Sequence, residues 1–145
     1  MNRLCPAAVF FLLCGCISFG EDVKTTDPAP EHVERCRLEM HILPEVEIEP
    51  EGFLLLGSGI DDAIWFKFTT PSAMTEIFDP LIVDPDSLED VSDSFSIMED
   101  MPWWDPSGRE LTGGAYELPG VRFMLVGMEE LPHGGTTVFV MWNET

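Results

Sequence analysis

Apolar and polar positions alternate along much of this chain, the period of a half-buried β-strand. Ile64, Phe66 and Phe68 alternate with Trp65, Lys67 and Thr69 until Pro71 closes the run. This is the clearest predicted strand. Cys36, Leu38, Met40 and Ile42 take every second position of Arg35–Ile42, ahead of Pro44. The pattern predicts a strand there, with Cys36 on its apolar face. Glu45-Val46-Glu47-Ile48-Glu49 sets three Glu against Val and Ile, as expected of a solvated edge strand. Phe53–Leu56 is an unbroken apolar run ended by Gly57-Ser58-Gly59. Val121–Val126 and Thr136–Trp142 are strand-like, and the nine residues between them include Pro132, Gly134 and Gly135. That spacing predicts a hairpin with a long loop.

A single segment has helical spacing. Ser72 is an N-cap candidate, and Ala73 and Met74 stand three or four positions before Ile77 and Phe78. A helix of about two turns is predicted over 72–78, stopped by Asp79-Pro80. Residues 81–99 are acidic and broken, and Trp103–Gly108 reads as a turn with an aromatic shoulder. No internal repeat is present. The predicted fold is mainly β, at the margin of α+β. It is a small antiparallel sheet or sandwich with one short helix, forming one domain over 31–145.

The first residues follow a different rule. Met1-Asn2-Arg3 is a short basic start, and Leu4–Phe19 carries no charge over 16 residues. That is short for a bilayer span of about 20 residues, and it has the length and flanks of a secretory signal. Residues 17–30 are polar, hold Pro28 and Pro30, and lack periodicity, so a tether is expected there.

The end of the apolar stretch reads Leu13-Cys14-Gly15-Cys16. It resembles the lipobox of bacterial lipoproteins, with Leu three positions before a Cys and a small residue just before it. Cys14 departs from the small Ala or Ser usual at its position. The resemblance covers only residues 1–16. It implies a signal peptide over 1–16, cleavage before Cys16 and lipidation of Cys16. Ile17 in place of Asp implies the outer membrane, where the cell has one. The rival reading is cleavage after Gly20, with small Ser18 at the −3 place, which gives a secreted protein.

Charge narrows the partners. Seven Lys and Arg against 27 Asp and Glu leave a net charge of −20. Such a field repels nucleic-acid backbones, so no nucleic-acid partner is expected. The apolar fraction of 45% nonetheless argues for a packed core. Of the four Cys, the lipobox resemblance implies that Cys5 and Cys14 leave with the signal and that Cys16 is spent on lipid. Cys36 then stands alone and is expected to be a buried, inert thiol.

Candidate chemistry is sparse. Asp84, Asp86, Glu89, Asp90 and Asp93 begin like a calcium loop, but Leu88 and Glu89 fall where an EF-hand needs an oxygen ligand and Gly. They remain weak calcium candidates. Ten acids and no Lys or Arg lie between Lys67 and Arg109, which predicts mutual repulsion and raised pKa values at some of them. The three His, at 32, 41 and 133, lack zinc-ligand spacing. Ser58 lacks the frame of a nucleophile elbow. Trp103, Trp104 and Asp105 pair aromatic faces with a carboxylate, a combination suited to sugar. Trp is also a core residue, and packing is the simpler role.

The sequence therefore points to a lipid-anchored protein of the cell envelope. Its domain is expected to bind or to serve a structural role without catalysis, and no motif asks for a cofactor. The membrane is the expected partner, through the anchor; the chemistry of any protein or glycan partner is not legible. The alternatives are a secreted carbohydrate- or calcium-binding module and, less favoured, a hydrolase.

Overall fold

A computed structural model describes residues 21–57 and 61–145. Seven strands form one antiparallel sheet: β1 (Val23–Thr25), β2 (Glu49–Gly57), β3 (Asp62–Thr70), β4 (Glu89–Asp90), β5 (Thr112–Leu118), β6 (Arg122–Glu130) and β7 (Thr136–Glu144). Their order across the sheet is β1-β2-β3-β7-β6-β5-β4. Two meanders, β1 to β3 and β4 to β7, thus meet where β3 pairs with β7. The chain is mainly β, as its alternation predicts.

Helix α1 (Pro30–Glu39) overturns the strand expected over 35–42. Pro30 starts it with a preset φ, while Glu31 in the first turn and Arg37 in the last suit the helix dipole. Cys36 and Met40, four apart on one helical face, are fully buried, whereas Leu38 is 73% exposed. The strand expected over 45–49 is also replaced. Val46 N–H closes a turn onto Leu43, and the Arg37 guanidinium donates to the carbonyls of Leu43 and Val46 at 2.9 Å each. Of the helix expected over 72–78, only a 3-10 turn at Met74–Glu76 forms. Leu43 N–H donates to the Ile77 carbonyl and Phe78 bridges to Ile42. These contacts draw the backbone into extended pairing just where the helix would continue.

The tether expected over 17–30 is partly structural. Val23–Thr25 pairs with Phe53–Leu55 as an edge strand, and the Asp22 carboxylate accepts a hydrogen bond from Gly57 N–H at 3.1 Å. Residues 17–20 lie outside the described residues.

Each face of the sheet carries its own core. One packs Phe53, Ile64, Phe66, Phe68, Val126, Val140 and Trp142 with Cys36 and Met40 of α1. The other is built from three cross-strand rows. Gly52, Lys67, Phe139, Gly127 and Gly113 form the first. Leu54, Trp65, Met141, Leu125 and Ala115 form the second, and Leu56, Ala63, Asn143, Phe123 and Glu117 the third. The chain between β4 and β5 crosses this face and lays Phe95, Met101 and Trp104 over Phe139 and Leu54. At the far edge, β4 pairs only with Thr112 and Gly113 of β5.

Candidate functional site

Trp103, Trp104 and Asp105 sit on the crossing segment, over the first row. Glycine shapes the bed. A side chain on Gly52 would run into the Trp103 ring, and one on Gly127 would meet Phe95. Two bulky rings can therefore lie close to the backbone. Trp104 is 2% exposed and donates from Nε1 to the Ser96 carbonyl at 3.1 Å. Its ring stands edge-on to Phe139, with centroids 5.2 Å apart. Trp103 is half-buried, and its plane lies at 86° to that of Trp104. The two indoles thus share no common outward face. Both take part in packing the segment to the sheet.

Asp105 completes the attachment. A chain of alternating charge runs from Glu51 to Lys67 (3.0 Å), to Asp105 (2.9 Å), to Arg109 (2.9 Å) and to Glu129 (2.8 Å). Lys67 is 7% exposed. Its ammonium and the Arg109 guanidinium each lie 5.3 Å from the centroid of the Phe139 ring, close enough for cation–π attraction. Arg109 also donates from Nε to the Asp105 carbonyl at 2.9 Å. Burial pushes the Asp105 carboxyl up, but hydrogen bonds from Lys67 and Arg109 and their two charges outweigh it. The pKa is held below the usual carboxylate range. Burial opposes the charge on Arg109, and Asp105 and Glu129 more than restore it.

Lys67 and Arg109 were legible as the cations bracketing the acidic stretch, and folding brings both to one carboxylate within it. Two acids of that stretch shift opposite to the rise expected for some of it. Asp105 is lowered, and so is Asp90, whose carboxylate accepts from Ser92 Oγ at 2.6 Å and Ser92 N–H at 2.9 Å.

The calcium candidates are spread along a turn and a short strand. Asp84 accepts from Asp86 N–H at 2.9 Å and caps the 3-10 turn Pro85–Ser87. Glu89 and Asp90 form β4, and Asp93 lies in the following loop. Among the described residues, no group of three or more His, Cys, Asp or Glu is arranged to hold a metal ion. His32 stacks on Phe53 at 4.9 Å, His41 (φ 55°) follows the helix, and His133 lies exposed in the β6–β7 loop. Cys16 and Ser58 lie outside the described residues. Cys36 is a free, buried thiol on α1; burial raises its pKa to about 12, opposed by Arg35 and aided by Glu39.

No protein-family model, curated protein or solved structure matches the chain.

Proposed function

We propose that this chain is a lipid-anchored protein of the cell envelope, whose β-rich domain acts by binding or as a structural element. The observation that carries the reading is Leu13-Cys14-Gly15-Cys16 at the end of an uncharged apolar stretch. Its setting supports it, because β1 begins seven positions after Cys16. An anchor there would hold the folded domain close to its membrane. Several acyl chains on one Cys outlast the marginal hold of a single chain. The Trp103–Asp105 packing supports a scaffold role for those residues more than a sugar platform.

The test is Cys16→Ala in the full chain, followed by detergent-phase partition and mass analysis of the N-terminal peptide. The wild type is expected in the detergent phase with an acylated Cys16 at its start. The variant is expected in the aqueous phase or unprocessed. A wild type found in the aqueous phase with Glu21 as its first residue would show the secreted alternative instead.

A further inference from the structure

The crossing segment covers the first row of its sheet face and, at Leu54, the β2 end of the second. Toward the end where the chain enters β1, the apolar surface continues past the segment, exposed among the described residues. Trp65, Leu125 and Met141 are half-buried in the second row. Beyond them Leu56 is 38% exposed and Phe123 39%. A shallow hollow of about 350 Å³ lies along Phe123, Leu125 and Met141. At the tip of the β5–β6 hairpin, Val121 is 63% exposed and has φ 58°. A β-branched residue is strained there, and Gly or Asn would not be. The hairpin keeps an exposed apolar side chain at a conformational cost, the kind of outlier that calls for a functional reading.

The chain's route says what this surface faces. Leu56 and Phe123 belong to one row, and the row ends beside Asp22, which holds Gly57. Seven positions separate Cys16 from Val23, a reach of at most about 25 Å. Four strand spacings, about 19 Å, separate β1 from β6. We propose that this end of the sheet face rests on the membrane, with Val121, Phe123 and Leu56 at the boundary between headgroups and acyl chains. The inference rests on the lipid-anchor reading of Cys16 and adds an orientation to it.

Charge favours lipid over a second copy of the chain as the occupant. Two copies of so acidic a chain repel each other, whereas a zwitterionic surface carries no net charge to repel them. Charged groups flank the patch, with Asp22 and, one row back, Lys24 at the β1 edge and Glu117 on β5. That places them at headgroup level, where they stay hydrated.

The experiment uses the processed, lipidated protein in phosphatidylcholine vesicles. An environment-sensitive fluorophore is placed on Val121→Cys, on Phe123→Cys as a second reporter, and on His133→Cys at the opposite end of the sheet. Buried Cys36 leaves the background low. Flotation with the vesicles and the mass of the N-terminal peptide score the anchor. Quenching by nitroxide-labelled lipid scores the orientation. Quenching at 121 and 123 is expected to exceed that at 133 by about threefold or more, since interfacial groups sit about 5–10 Å into the boundary. A protein that floats but shows equal quenching at all three sites overturns the orientation and leaves the anchor standing. Disulfide-linked dimers of the unlabelled Val121→Cys variant, without lipid quenching in the labelled one, overturn it in favour of a second copy. A protein that neither floats nor carries acyl chains overturns both.

Discussion

The indole of Trp103 lies across Gly52, in space that any side chain at that position would need. Gly52 is buried and follows a register shift in β2, between Pro50 and Gly52. Gly52→Ala is therefore expected to lift Trp103 from the sheet. Overpacking of this kind costs about 1–3 kcal/mol. Chemical unfolding measures the loss, and it should come with a red shift of the native tryptophan emission. An unchanged midpoint and spectrum would show that the ring is not held there.

Lys67 links two carboxylates in a nearly buried position. Lys67→Met should destabilise the domain by about 1–2 kcal/mol. That is less than the roughly 3–5 kcal/mol of a fully buried pair, because Glu51 and Asp105 keep 39% and 49% of their side chains exposed. Adding Glu51→Gln should recover part of the loss, since Lys67 is the cation that Glu51 pairs with, whereas Asp105 keeps Arg109. A double-mutant cycle reads the coupling, and strict additivity would show that the contact is energetically silent.

Acid should weaken the fold through Asp90 and Asp105. Both have folded pKa values below those of the unfolded chain. Their contribution is thus complete above the unfolded value, near about 4, and is lost as pH falls through the folded value. Stability measured by urea unfolding should decline below about pH 4, less steeply in Asp105→Asn. A decline equally steep in the variant would remove Asp105 from the account.

Cys36 should resist thiol reagents in the native domain. With its pKa raised from 9.0 to about 12, the thiolate fraction at pH 8 falls on the order of a thousandfold, and burial blocks access besides. Labelling should be rapid in denaturant and nearly absent without it. Fast native labelling would mean that α1 opens readily.

Val121→Asn should stabilise the isolated domain by about 1 kcal/mol, because Asn tolerates the left-handed region that strains Val. Thermal unfolding checks the sign. A loss of stability would show that the hairpin tip needs its Val for packing.

The sequence was most readable where one face of a strand meets the core and the other does not. Ile64, Phe66 and Phe68 are buried as their alternation requires; the C-terminal hairpin forms as expected, but Thr136–Val140 are buried on both faces. Reading failed where two periods fit the same residues. Cys36 and Met40 satisfy both a strand spacing and an i, i+4 helical spacing, and Pro30 at the helix start was the deciding signal. β5 escaped because Gly113 and Gly114 weaken strand propensity. Gly113 is in the sheet because a side chain there would meet the Val126 backbone. At the candidate site, the aromatic segment could be seen in the sequence. Its bed of glycines, Gly52 on β2 and Gly127 on β6, could not, because only the register brings them into line.

The meeting of the two meanders at β3 and β7 also fixes an order of events. Residues 63–70 find their partners only at 136–143, so the central seam closes a long loop, the slow kind of contact in folding. A chain delivered only as far as residue 135 has its sheet in two pieces, each lacking the strand that would unite them. Under the export proposed above, a channel would meet such a chain, whose central seam cannot close before its last strand arrives.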